Sequence, residues 1–260
     1  MKLFFRKYGE GGIPVVILHG LFGQCDNWQT VARTLSEKGL EIYTVDQRNH
    51  GLSPHSEEFN YQLMSEDLYE LISDLGFQKI TLLGHSMGGK TALQFAADHP
   101  LKLDRLFVAD ISPRYYPPHH QQIIRALQAV DFNQIKSRKE AEAILSEYIS
   151  ESGTRQFLLK NIYWKTDSQL DWRFNLAAII KNIEEIGSEI KFNRTYTRQD
   201  YETLFIRGEK SNYISDTDIS DIRTHFPDAS FETIEGAGHW LHADKPKEFT
   251  ELLLLHLKPN

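Results

Sequence analysis

The chain has 260 residues, 40% of them hydrophobic, enough for one substantial buried core. Asp and Glu outnumber Lys and Arg 36 to 29, for a formal charge of −7. That balance argues against a nucleic-acid backbone as partner, for which a basic face is the expected footprint, while leaving room for a local basic patch. Cys25 is its one cysteine, so no intrachain disulfide can form, and a reducing, cytoplasmic setting is the natural fit.

The first residues, MKLFFRKYGEGG, interrupt their apolar side chains with Arg6 and Lys7. They lack the continuous apolar stretch and small-residue cleavage site of a secretory signal, so the mature chain is expected to begin here. Apolar runs rich in Val, Ile and Phe then recur as KLFFRKY (2–8), VVILH (15–19), EIYTVD (41–46), KITLLG (79–84) and DRLFVAD (104–110), and again as TLFIRG (203–208) and SFETIEG (230–236). These read as strands, mostly buried. Between them, WQTVARTLSEKG, MSEDLYELISDLG and MGGKTALQFAADH return apolar residues every three or four positions, as helices do. The alternation predicts a mostly parallel sheet covered on both faces.

About ninety residues separate Asp110 from the strand near Leu204. They show no convincing strand, open with SPRYYPP and carry helical patterns such as AEAILSEYI. That is too long for an ordinary connection. The expected organisation is a core of 1–112 and 199–260 with a helical cap, 113–198, over one end of the sheet. The apolar cluster LLLL (252–255) lies inside FTELLLLHLKPN, far short of the roughly 20 residues that span a bilayer. It reads as the buried face of a last helix.

LLGHSMGGK, residues 82–90, places Ser86 on the bend between a strand and a helix. Gly84, Ser86 and Gly88 make a Gly-x-Ser-x-Gly nucleophile elbow, in which side chains at the glycine positions would collide as strand and helix close together. The helix N-terminus behind the serine offers backbone N–H groups where an oxyanion forms. A serine needs a base, and histidine suits that role. Position selects His239, in EGAGHWLHADKP between the last strand and the last helix, with His242 as second choice. His85 flanks the serine but points away from it, and His119 and His120 fall in the cap. The third member should be a carboxylate at the carboxyl edge of the sheet. The usual position, three residues past the glycine of TLFIRG, holds Ser211, which cannot serve. Asp110, at the end of LFVAD and 24 residues after Ser86, is favoured over a turn-capping role, with Asp216 and Asp218 as alternatives. The oxyanion donors are expected to be the amide of Met87 and, from the HGLFG loop, that of Leu21, with Phe22 next; His19 and Gly20 shape that loop.

The segments HGLFGQCDNW, VDQRNHGLSP, GHSMGGK, VADISPRYY, QFLLKN, WRFN and GAGHWLHADKP, spread over about residues 15–246, together resemble the α/β-hydrolase superfamily. Within it they are similar to small bacterial acyl esterases related to the mitochondrial ABHD-type hydrolases. The resemblance implies an α/β-hydrolase fold with Ser86 as nucleophile, His239 as base and Asp110 as an acid displaced to the strand after the nucleophile helix. It also implies hydrolysis of short- to medium-chain acyl esters, small-molecule substrates, with no metal or cofactor. Asp46, Arg48, Asn49 and Ser53 match structural positions beside the site. Cys25 reads as a neighbour of the oxyanion loop. Alternatives on the same triad are thioester, lactone or C–C bond hydrolysis, and a different class is a ligand-sensing receptor that signals through its cap. Neither a partner protein nor an oligomeric state is specified by any motif.

Overall fold

The computed structural model describes residues 1–118 and 120–257; His119 and the end of the last predicted helix, 258–260, lie outside them. In chain order come strands β1 (Phe5–Tyr8) and β2 (Val15–Leu18), helix α1 (Gln29–Ser36), β3 (Ile42–Val45) and α2 (Tyr61–Asp74). Then follow β4 (Ile80–His85), α3 (Met87–Asp98) and β5 (Leu103–Ala109). A long excursion carries α4 (Gln121–Ala129), α5 (Arg138–Tyr148), α6 (Ser152–Leu159), β6 (Ile162–Thr166), β7 (Gln169–Trp172), α7 (Leu176–Lys181) and α8 (Ile183–Gly187). The chain ends with β8 (Glu202–Gly208), α9 (Asp216–His225), β9 (Ser230–Ile234), α10 (Leu241–Asp244) and α11 (Pro246–Leu257). Several helices start at side chains that accept the orphan amides of the first turn: Asn60 for α2, Ser137 for α5, Asn175 for α7 and Ser215 for α9.

Seven strands form one sheet in the order β1-β3-β2-β4-β5-β8-β9. Only β1 is antiparallel to its neighbour among the described strands. The central strands are buried on both faces, and their period of two divides the core. Val16, Leu82, Leu106 and Phe205 pack with Leu68, Ile72 and Leu93 of α2 and α3. Ile17, Leu83, Phe107 and Ile206 pack with Val31 and Leu35 of α1 and Phe249 and Leu253 of α11. The edge strands β1 and β9 are only partly buried, as strands with one solvent-facing side must be.

The chain leaves β2 outward to β3 and then returns to β4 on the other side of β2. This reversal opens a crevice at the carboxyl ends of β2 and β4, where ligands settle in open α/β sheets. The segments HGLFG and GHSMGG leave those two strand ends.

The excursion after β5 corrects one expectation. It is not purely helical: β6 and β7 form an antiparallel hairpin that pairs Ile162 with Trp172 and Trp164 with Leu170. Ile162, Leu170 and Trp172 turn inward while Trp164 is exposed. Arms of four and five residues, interrupted by Lys165 and Asp171, make no apolar run, so their alternation is hidden in the sequence. No helix among the described residues is long and apolar enough to cross a membrane.

Candidate active site

Ser86 directly follows β4 and caps α3 with φ 53° and ψ −119°. A non-glycine residue in such a region costs on the order of 1–3 kcal/mol and persists only where its surroundings enforce it. The enforcement is steric. A Cβ on Gly84 would run into the Gly88 carbonyl, and one on Gly88 would lie 2.5 Å from Leu18 O and 2.6 Å from His19 O. The glycines let strand, helix and the β2 end close together, and the turn lifts the Ser86 side chain off the sheet edge.

Asp110 occupies the equivalent place on the next strand. His85 pairs with Ala109 across β4 and β5, so Ser86 and Asp110 are the first residues beyond two level strand ends. Asp110 also has a positive φ, 52°, and is fully buried. Its carboxylate accepts from the Gly208 amide at 3.1 Å and from the Ser211 hydroxyl. His239 arrives on the loop after β9 and fills the gap. Its Nδ1 lies 2.7 Å from Asp110 Oδ2 and its Nε2 3.0 Å from Ser86 Oγ. A carboxylate accepts, so Nδ1 carries the proton and Nε2 is left to accept from the serine hydroxyl. The ring of Tyr213 stacks on the imidazole at 3.9 Å and 16°. Burial pushes the Tyr213 hydroxyl up to about 12, so it stays a neutral phenol.

The other predicted carboxylates stand elsewhere. Asp216 pairs with Arg207 at 2.9 Å. Asp218 binds Arg114, Ser112 and Ser215. His242 is buried in a stack on Trp28 at 4.1 Å, with no partner for Nδ1, and burial pushes it down to about 3. His85 does point away from the serine, and its Nε2 donates to the His239 carbonyl at 2.7 Å, anchoring the loop that carries the imidazole. Ser211, Tyr213 and this role of His85 were not foreseen. The one clue in the sequence was the missing carboxylate at 211, which leaves room for a residue that supports Asp110.

The oxyanion candidates flank Ser86. The first α3 bond runs from Lys90 N–H to Ser86 O, so the Met87 amide has no acceptor within the helix. The HGLFG loop is a tight turn closed by Gly23 N–H to Gly20 O at 2.9 Å. A Cβ on Gly20 would lie 3.2 Å from Ser86 Cβ, so the turn packs directly on the serine. Phe22 sits at φ 61°. Its N–H donates to His50 Nε2 at 3.1 Å and its carbonyl accepts from Asn161 Nδ2 at 2.8 Å. With the Phe22 amide committed, the Leu21 amide is the stronger candidate of the two. His50 donates from Nδ1 to Arg48 O, and His19 spans Gly20 O and the Gln47 amide. Both rings are buried and neutral, pushed down by burial to about 3 and about 4.

The neighbouring loop is held as its residue types suggest. Asp46 accepts from the Cys25 and Leu52 amides, Arg48 grips Asp67, Asn49 accepts from the Ser56 amide at φ 65°, and Ser53 donates to Asp46 O. Cys25 donates to Thr44 O, and its thiol is pushed up, chiefly by burial. Among the described residues, no group of three or more His, Cys, Asp or Glu side chains is placed to hold a metal ion. A cavity of about 250 Å³ opens above Ser86 and His239, walled by Trp28, Phe157, Leu158 and Trp240.

Residues 13–246 match the model of the alpha/beta hydrolase fold family. The mouse (Mus musculus) protein named sn-1-specific diacylglycerol lipase ABHD11 is 39% identical over 251 residues, covering 94% of this chain and 80% of that one. Esterase YbfF of Escherichia coli is 38% identical, covering 90% and 88%. A solved structure described as a marine microorganism esterase superposes with a TM-score of 0.95 at 46% identity, covering 98% of this chain and 99% of that one. The chain therefore belongs to the α/β-hydrolase family, as an enzyme of the esterase type.

Proposed function

We propose that the protein is a serine carboxylesterase acting on small-molecule acyl esters of short to medium chain length, through Ser86, His239 and Asp110. The observation that carries this reading is the unbroken path from Ser86 Oγ through the His239 ring to the Asp110 carboxylate, at 3.0 and 2.7 Å. Ser86 Oγ attacks the ester carbonyl while His239 Nε2 takes its proton, and Asp110 stabilises the imidazolium and keeps its orientation. The Leu21 and Met87 amides hold the oxyanion, each such donor being worth about 2.7–4 kcal/mol in the transition state. As the tetrahedral intermediate collapses, the bond to the alcohol oxygen breaks and His239 returns its proton to it, so a neutral alcohol leaves. Water, deprotonated by the same Nε2, then cleaves the acyl-serine and regenerates the hydroxyl.

Residues 113–198 act as the cap of this site. Ile123 of α4 and Thr154, Phe157 and Leu158 of α6 contribute to the cavity wall, which supports a roof over the sheet edge rather than a separate unit. The deciding experiment is turnover of p-nitrophenyl acetate by Ser86→Ala and His239→Ala. Each is expected to lose on the order of 10⁶-fold in kcat, as in other triads where removing one member costs about as much as removing all. Full activity in Ser86→Ala would refute the assignment.

A further inference from the structure

Ser86 lies on the border of two cavities of very different size. The larger, about 250 Å³, contains His239. The smaller, about 30 Å³, does not; it is bounded by Leu21, Met87, Tyr61, Tyr116, Ile111 and Ile186. Resting on the triad proposed above, this asymmetry fixes which part of an ester goes where. In the tetrahedral intermediate the oxyanion faces the Leu21 and Met87 amides. The alcohol oxygen must lie within reach of His239 Nε2, because it takes its proton from there. The acyl chain is left with the remaining direction, away from the imidazole and into the small cavity.

We infer that the enzyme selects esters of two- or three-carbon acyl groups with bulky apolar or aromatic alcohols. Counted as space open to the centre of a water-sized sphere, a volume near 30 Å³ is about two to three times what one water needs, which admits a methyl or short alkyl group and little more. The larger cavity is lined mainly by apolar and aromatic side chains, Trp28, Phe157, Leu158 and Trp240 among them, which suit an alcohol with an apolar body.

The small cavity is also held closed from behind. Lys90, one turn after Ser86 on α3, donates to the carbonyls of Arg114 at 2.7 Å, Gly187 at 3.3 Å and Ser188. Its three N–H groups thus have backbone partners, and it sits beside the rings of Tyr61 and Tyr116. The Tyr61 hydroxyl donates to Ile186 O at 2.6 Å. A Cβ on Gly187 would run into the Tyr116 carbonyl. A longer acyl chain would have to separate walls that are bonded to one another, in an interior packed as densely as a crystal.

The test is kcat/KM on two series: p-nitrophenyl esters from acetate to octanoate, and acetates of ethyl, benzyl and naphthylmethyl alcohol. The expected result is a fall of about tenfold or more between propionate and hexanoate, and a rise of about tenfold or more from ethyl to benzyl acetate. Ile186→Ala and the less buried Ile183→Ala, which also borders the small cavity, should move the optimum to longer acyl groups by one or two carbons. Octanoate hydrolysed as well as acetate by the wild-type protein would overturn the inference, whatever the variants do. If that activity disappears in Ser86→Ala, the triad stands and only the division of the cavities fails. If it survives in Ser86→Ala, the triad itself fails.

Discussion

The strand ends that carry the proposed triad and the segment 113–198 proposed to cover them are held in place in different ways. At the ends of β4 and β5, position is set by the backbone: Ser86 and Asp110 both take positive φ, 53° and 52°, on strands hydrogen-bonded to neighbours on both sides. The covering segment is tied down largely by individual side chains reaching to main-chain carbonyls, Asn161 to Phe22, Lys90 to Arg114 and Ser188, Tyr61 to Ile186. On the proposed reading, the chemistry is thereby built on the least deformable part of the molecule. On the same reading, substrate choice rests on contacts that a few substitutions can alter.

If that contrast is right, the largest losses come from the sheet edge. Asp110→Asn should lower kcat by about 10⁴-fold, because the imidazole loses the partner that fixes its tautomer. Asp218→Asn, which disturbs only the Arg114, Ser112 and Ser215 contacts, should leave kcat within a few-fold; the reverse pattern in steady-state kinetics would show that the wrong carboxylate has been assigned.

Gly88→Ala tests the backbone directly. Its new Cβ would press on the carbonyls of Leu18 and His19, so urea unfolding should show a loss of about 1–3 kcal/mol, the usual cost of overpacking. Turnover should fall as the elbow opens. An unchanged midpoint and unchanged kcat would mean that the glycine is not required by the turn.

Acid sensitivity tests the packing of the interior. His242 is pushed down to about 3 by burial, against an ordinary value near 6.5. Between those values the unfolded chain takes up a proton that the folded chain refuses, so stability falls as pH drops through that window. His242→Phe removes this term while keeping a ring against Trp28. Relative to the wild type it should gain about 2 kcal/mol on going from pH 7 to pH 5, measured by denaturant unfolding at both values. An identical pH dependence in the two proteins would place a charged His242 in the fold.

The smallest effect comes from the covering segment. Asn161→Ala leaves the Phe22 carbonyl without its side-chain donor and loosens the proposed oxyanion turn, for an expected drop in kcat of about tenfold, or 1.4 kcal/mol, with KM little changed. A change in KM alone would mean that Asn161 shapes the cavity and not the turn.

The sheet and the strained turn at Ser86 were legible in the sequence because both rest on short-range rules. The apolar runs mark strands buried on both faces, the Gly-x-Ser-x-Gly spacing encodes a steric clash, and a missing carboxylate at 211 directs attention to Asp110. What stayed hidden depends on residues far apart in the chain. The β6–β7 hairpin is stabilised by burial of Ile162, Leu170 and Trp172 against the rest of the covering segment, which no local run of residues reveals. The hydroxyl of Ser211 reaching Asp110, the Tyr213 ring on His239, and the bond from His85 to the His239 carbonyl arise only when β5, β8 and the last loop meet. The two cavities are likewise set by how 113–198 packs on the sheet.

The most direct test of the triad is covalent. The protein should be incubated with a fluorophosphonate probe and its peptides mapped by mass spectrometry, alongside His239→Ala. One adduct per chain on Ser86, formed far more slowly in His239→Ala, is the predicted result. An adduct on another residue, or none in a protein that still turns over p-nitrophenyl acetate, would contradict it.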